Sequence, residues 1–119
     1  MSNEITKKSQ IRIDVLLDNE NMPAQIQWDA DDADMEGKHE AKSVILAMWD
    51  GLQQNAMRID LWTKDMNVEE MNLFFFQTFA TMADTYERAT NNKEIADDMR
   101  DYAHHLGHKL EVFGADHKH

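Results

Sequence analysis

The sequence has no cysteine and only one proline, Pro23. Without a thiol the chain cannot form a disulfide, a thiolate zinc site or a cysteine nucleophile. Its four glycines are scattered, so it lacks a glycine-rich phosphate loop, and no serine lies in a Gly-x-Ser-x-Gly turn. These absences argue against nucleotide hydrolysis and against nucleophilic catalysis.

Long apolar segments are lacking as well. The longest mostly apolar run, Val44–Trp49, is far too short to span a bilayer. The first residues are largely polar, include Lys7 and Lys8, and lead into no apolar signal segment. No cysteine is available for a lipid anchor. We therefore predict a cytoplasmic protein with no direct membrane insertion.

Basic residues are few, with 12 Lys and Arg against 23 Asp and Glu, which gives a formal net charge of −11. Such a surface repels phosphate backbones and anionic lipid headgroups, so nucleic acid and bare membrane are poor candidates for a partner. Basic surfaces and cations fit better, although acidity by itself also maintains solubility.

The length of 119 residues, 42% of them apolar, is enough for one domain and too short for two cores. We predict a single domain over residues 1–119. Its ordered core extends over about residues 9–114, between a polar N-terminal tail and a histidine-containing C-terminal tail.

The first half of the chain shows the alternation of apolar and polar side chains that is typical of strands. The segments concerned are residues 11–17, 24–30, 43–50 and 57–62. The third is a short apolar run that also fits the end of a helix, but Val44, Ile45 and Trp49 favour a strand. Turn-rich stretches separate the first pair and the second pair, which predicts two β-hairpins.

After Thr63 the apolar period becomes 3.6, which indicates helices. Asn67 stands three residues before Glu70, the spacing of a capping box, and predicts a helix start. The same spacing recurs at Asn91 and Glu94. Strands followed by helices predict an α+β fold: a four-stranded antiparallel sheet of two hairpins, then two C-terminal α-helices packed on one face.

An acidic loop, residues 29–36, resembles the opening of a calcium-binding loop. Carboxylates alternate from Asp32 to Glu36 and Gly37 holds the sixth position, but the twelfth, where a bidentate glutamate belongs, is Ser43. We interpret the segment as a solvated acidic loop, with weak cation binding as the alternative.

His104 and His108 lie one helical turn apart, so the two rings could chelate a divalent metal ion. A zinc site needs three or four ligands, and His105 occupies the place of the glutamate that follows the first histidine of a zincin helix. We interpret these residues as surface histidines and predict neither a metal nor another cofactor.

Aromatic residues indicate a binding surface. Trp62 shares a strand face with Arg58, opposite the face of the neighbouring aliphatic residues, and such a composition suits a protein-binding hot spot. A loop or a second subunit could instead cover this face. The apolar inventory is large for the length, so we expect a dimer or higher assembly. We predict no catalytic residues, and the predicted partner-binding residues are Trp49, Arg58, Trp62, Phe74 and Phe76.

Several strings resemble the gliding motility-associated protein C family of Bacteroidetes. They are Met57–Met66, Glu69-Glu70-Met71, Met82–Thr90, Trp49-Asp50 and Ile26-Gln27-Trp28. The resemblance covers roughly residues 8–113. Asn67 stands where the family pattern leads us to expect proline, a change that leaves the helix start intact.

The resemblance implies an accessory factor of the gliding apparatus, linked to the type IX secretion system, with other gliding motility proteins as partners. It implies no catalytic or ligand-binding residue. We therefore predict a non-enzymatic adaptor that acts by protein–protein binding. A SecB-like holdase chaperone for exported components is the alternative, because strands followed by helices, acidity and methionine-rich contact surfaces resemble that chaperone in outline. A small enzyme is a third hypothesis.

Overall fold

A computed structural model of the chain describes residues 4–33 and 37–112, in two compact units, Met1–Met66 and Asn67–His119. The first unit contains the strands and the second the helices. The elements are β1 (Ile11–Leu17), β2 (Pro23–Ala30), β3 (His39–Ala41), β4 (Ser43–Asp50), β5 (Asn55–Trp62), α1 (Val68–Thr90) and α2 (Lys93–Lys109). This confirms the α+β class and the two C-terminal helices. The single domain and the packing of helices on a sheet stay predictions.

The predicted single four-stranded sheet is wrong. In the described part of the chain five strands form two sheets, a three-stranded sheet in the order β1-β2-β3 and a two-stranded sheet of β4 and β5. The reason lies at Lys42, the one residue between β3 and β4. The chain pairs with β2 as far as Ala41 and with β5 from Ser43 onward, so the extended segment is divided where it changes partner.

The residues after β5 tie the two sheets together. The Thr63 amide donates to the Lys42 carbonyl at 2.8 Å, and the Lys64 amide donates to the Pro23 carbonyl at 3.2 Å. Thr63 is 3% exposed, and its hydroxyl donates to Asp65 at 2.5 Å. That bond lowers the pKa of the Asp65 carboxyl. The end of β5 is therefore fastened to the start of β2.

The three-stranded sheet has its best-buried residue at its centre. Ile26 of β2 is fully buried and lies between its cross-strand partners Val15 and Ala41. On the same face the rings of Trp28 and His39 contact each other at a tilt of 41°, with centroids 4.8 Å apart. Alternation along β1 and β2 thus produces the apolar face that the sequence predicts.

Asparagine side chains set the limits of the helices. Asn67 and Glu70 form the predicted capping box, since each side chain accepts a hydrogen bond from the other's backbone amide, at 2.7 and 3.1 Å. The second predicted cap is one residue off. Asn91 ends α1 in the left-handed conformation, with φ 56°, and Asn92 caps α2 by accepting from the Ile95 amide at 3.2 Å.

Small residues line the contact between α1 and α2. The fully enclosed positions are Ala83 of α1 and Ala96, Ala103 and Gly107 of α2. Short side chains allow two helix backbones to approach closely. The larger Ile95 and Tyr102 of α2 are 41 and 53% exposed.

Arg100 of α2 joins the two helices electrostatically. Its guanidinium donates to Asp84 at 2.9 Å and to Glu87 at 2.8 Å on α1, and to Asp97 at 2.8 Å on its own helix. These bonds raise the pKa of Arg100 and keep it charged at every relevant pH. Neither α1 nor α2 combines the length and apolarity that a membrane span requires, and the described residues contain no other candidate helix.

Asp18 predicts a pH dependence of stability. Lys64 at 2.7 Å and the amides of Met22 and Glu20 lower its pKa from 3.8 to about 2. A depressed carboxyl pKa stabilises the fold above the unfolded value and ceases to do so as the pH falls through the folded value. In Asp18→Asn we expect a Tm lower by a few degrees at neutral pH. Thermal scans should show the difference from wild type shrinking between about pH 4 and about pH 2.

The control is Glu20→Gln in the same turn, since the backbone amide of Glu20, and not its side chain, donates to Asp18. Its Tm should follow wild type at each pH. A pH-independent Tm difference in Asp18→Asn would contradict the ion-pair explanation.

Arg100 predicts a salt-dependent defect. Arg100→Met leaves the carboxylates of Asp84, Glu87 and Asp97 close together without their cation, so we expect a lower Tm at low ionic strength. Part of the loss should return at about 1 M salt, where the screening length falls to about 3 Å. Arg88→Met removes the same charge from a guanidinium that contacts Thr85 and should have a smaller effect. Equal losses in both variants would argue against the cluster.

Candidate protein-binding surface

The hairpin of β4 and β5 keeps one register over all eight residues of each strand. Asp50 holds the turn, because its carboxylate accepts from the amides of Leu52 at 2.9 Å and Gln53 at 3.0 Å. Its carbonyl accepts from the amide of Gln54 at 2.8 Å, and Gln54 adopts the left-handed conformation with φ 55°. The turn predicted from the sequence is therefore present and locally stabilised.

The register assigns each side chain to a face, because directly opposed residues of an antiparallel pair lie on the same side of the sheet. Beyond the Asp50–Asn55 pair at the turn, one face is wholly apolar. This aliphatic face consists of Val44, Leu46, Met48, Met57, Ile59 and Leu61. The opposite face, here the tryptophan face, consists of Ser43, Ile45, Ala47, Trp49, Ala56, Arg58, Asp60 and Trp62.

Both faces expose large apolar side chains. Met57 and Ile59 of the aliphatic face are 53 and 46% exposed, and Trp49 and Trp62 of the tryptophan face are 68 and 55% exposed. Leu52 at the turn is 92% exposed. Burial of apolar surface stabilises a protein or a complex by about 25 cal/mol per Å². Contiguous exposed apolar patches therefore mark sites of interaction with other molecules.

Three of the five predicted binding residues lie together. Trp49, Arg58 and Trp62 belong to the tryptophan face. Trp49 is opposite Ala56, six residues before Trp62, so the backbone positions of the two tryptophans are about 20 Å apart along the strands. Arg58 lies between them and pairs with Asp60 at 3.0 Å. The three residues share a face of the hairpin, and their role in partner binding stays a prediction.

The other two predicted residues are in α1, in the helical unit. Phe74 and Phe76 are both half-buried, and the Phe74 ring meets Phe75 edge-on at 6.1 Å. Their role in partner binding stays a prediction. The exposed large apolar residues of α1 are Val68, Leu73, Phe75 and Met82.

The aliphatic face contains none of the five predicted binding residues. Alternation placed Met57, Ile59 and Leu61 on one face of the fourth predicted strand, opposite Arg58 and Trp62. One feature of the sequence indicates a second apolar face. The run Val44–Trp49 is apolar at every position, as in a strand that has contacts on both sides. Period-2 patterning identifies an apolar face but does not say what lies against it.

The start of the acidic loop is paired with a basic side chain, Arg12 of β1. Arg12 donates to Asp29 and to Asp31, both at 2.8 Å, and Ser9 donates to Asp32 at 2.6 Å. The hydrogen bonds that Asp31 accepts from the Arg12 guanidinium and from the Gln10 amide lower the pKa of the Asp31 carboxyl. Residues 34–36 lie outside the described residues. The carboxylates at the start of the loop thus serve an ion-pair network.

The predicted histidine pair is present as a ring contact. His104 and His108 meet edge-on with centroids 4.5 Å apart, while His105 turns toward Tyr102 at 5.8 Å. Among residues 4–33 and 37–112 no three His, Asp or Glu side chains come together in a metal-binding group.

Comparison with protein families supports one assignment. Residues 23–112 match the model of the family described as gliding motility-associated protein GldC-like. The match contains the β4–β5 hairpin and both helices. No curated protein and no solved structure matches the chain.

Proposed function

The chain belongs to the GldC-like family of gliding motility-associated proteins, and we propose that it is a non-enzymatic adaptor of the gliding machinery. It binds other gliding components through the β4–β5 hairpin, in the cytoplasm, in support of the motility apparatus and its linked type IX secretion. The carrying observation is the register of this hairpin, which leaves two exposed faces rich in apolar side chains.

The tryptophan face has the composition of an interface hot spot. Tryptophan and arginine are the residues that most often dominate binding energy, because they combine large contact area with a directional polar group. Arg58 is 58% exposed at its side chain and keeps donors beyond its contact with Asp60. Trp49 and Trp62 flank it, so a partner segment laid along the hairpin meets an indole, a guanidinium and a second indole in turn.

The titratable groups support a binding role over catalysis. Among the described residues, the shifted pKa values of Asp18, Asp31 and Arg100 belong to ion pairs and turns whose partners account for them. A catalytic site instead brings shifted acids and bases together in one cleft.

A holdase chaperone is the second candidate. The aliphatic face carries Met48 and Met57, and methionine adapts its shape to many apolar partners. The outline that suggested this function, one four-stranded sheet with two helices, is replaced by two sheets, so the methionine-bearing face alone favours it. A chaperone suppresses aggregation of unrelated unfolded proteins, whereas an adaptor does not.

Affinity capture from gliding cells tests the adaptor. We expect wild type to capture identified components of the gliding machinery and Trp62→Ala and Trp49→Ala to reduce capture at least tenfold, since loss of a hot-spot side chain costs about 2 kcal/mol or more. The matched control is Gln53→Ala in the turn of the same hairpin. Circular dichroism of each variant should show unchanged secondary structure.

Undiminished capture of the same components by both tryptophan variants would refute this binding surface. Suppression of aggregation of unrelated proteins, lost in Met57→Ser but not in Trp49→Ala, would favour the chaperone instead.

A further inference from the structure

The outer edge of β5 carries main-chain groups that no strand pairs with, and β2 meets this side only beyond Trp62, where the Lys64 amide donates to the Pro23 carbonyl. Among the described residues β4 is the one strand that pairs with β5. The Thr63 amide donates to the Lys42 carbonyl, and the Leu61 carbonyl accepts from the Ser43 hydroxyl at 3.1 Å, so the odd-numbered residues direct their main chain toward β4. Alternation then turns the amides and carbonyls of Ala56, Arg58, Asp60 and Trp62 outward.

We propose that this edge pairs antiparallel with β5 of a second copy of the chain, about a twofold axis at Ile59. In this register Ile59 faces Ile59 of the second copy, and Met57 faces the second copy's Leu61. The small side chain of Ala56 lies opposite the large side chain of the second copy's Trp62. The outward main-chain groups meet in about eight hydrogen bonds, the pattern of an antiparallel ladder.

Charge complementarity selects both the occupant and the register. With the axis at Ile59, Arg58 lies opposite Asp60 of the second copy and Asp60 opposite its Arg58, and opposed unlike charges stabilise a strand pair. An axis at Arg58 or at Asp60 sets like charges against each other. An axis at Leu61 brings Arg58 against Lys64, and one at Met57 pairs only the first five residues of β5. Two copies of β5 that run antiparallel about Ile59 therefore bring unlike charges together, which favours a second copy of the chain as the occupant of this edge.

The overall charge also favours contact here over contact elsewhere. Each chain carries −11, so two copies repel each other over most of their surface. Residues 43–62 carry one arginine against two aspartates, and they are therefore close to neutral. Pairing extends the hairpin to four strands, and an isolated two-stranded hairpin is marginally stable in water. The aliphatic faces of the two copies become one continuous surface.

This dimer goes beyond the proposed function, because it needs no gliding component and is measurable in purified protein. The absence of cysteine allows a direct test of the register. Across the axis the two Ile59 positions form a non-hydrogen-bonded pair with Cα atoms about 4.5 Å apart, within disulfide range. Under mild oxidation with copper phenanthroline, full-length Ile59→Cys should crosslink to a covalent dimer within minutes.

Met57→Cys is the matched control, on the same strand, on the same face and similarly exposed. In the proposed register the two introduced thiols are four residues apart along the strands, about 13 Å, so they should crosslink at least tenfold more slowly. Equal rates for the two variants, or faster crosslinking of Met57→Cys, overturn the register.

A charge-swap experiment on the uncrosslinked protein tests the association itself. Sedimentation of wild type should give twice the chain mass of 13.9 kDa. Arg58→Asp and Asp60→Arg each oppose like charges, and each should raise the dimer Kd at least tenfold. An equimolar mixture should recover the dimer, because the aspartates of one variant face the arginines of the other. The Arg58–Asp60 contact within each chain stays broken, so recovery reports on contacts between chains.

Three results would overturn the dimer: wild type that is monomeric at all concentrations, single variants that associate as tightly as wild type, or a mixture that stays monomeric. Association lost instead in Ala47→Asp would assign the contact to the outer edge of β4. If a single variant fails to fold, Arg58→Asp/Asp60→Arg, which keeps opposite charges within and between chains, must still dimerise.

Discussion

The change of pairing partner at Lys42 is the constraint on which the rest of the strand unit depends. A strand satisfies its main-chain groups through its neighbours, and β3 and β4, although separated by one residue, use different ones. Because β4 pairs with β5 and not with β2, the hairpin stands as a two-stranded sheet. Among the described residues no strand pairs with either outer edge of this hairpin, and β2 meets it only through the Lys64–Pro23 hydrogen bond beyond the end of β5.

A few arginine side chains form most of the ion pairs described above. Acidic residues outnumber basic ones nearly two to one, and three arginines each contact more than one polar group or lie in a charged cluster. Arg12 binds the start of the acidic loop, Arg58 lies between the tryptophans, and Arg100 joins the helices. Each exposed pair contributes little alone, so it is their placement, more than their energy, that shapes the molecule.

Association with gliding motility follows from family membership, whereas the proposed mode of action rests on the exposed side chains of the hairpin. Exposed indoles around a guanidinium suit recognition of a specific partner, and a methionine-bearing aliphatic face suits looser contacts. Both are consequences of one register. A second copy along β5 would leave both faces open and would double their area, so self-association and partner binding are compatible.

Local signals in the sequence determined the strand and helix positions to within a few residues, the capping box at Asn67, the acidic character and the family. They also brought Trp49, Arg58 and Trp62 into one hypothesis, because period-2 alternation is a local property. Only the tertiary structure decided that a short strand, β3, precedes the third predicted strand and pairs with β2, that Asn92 and not Asn91 caps α2, and which side chains share a face of the β4–β5 hairpin. The strand pairings depend on which distant segment lies alongside, and pairing between distant segments is not encoded in the period of either one.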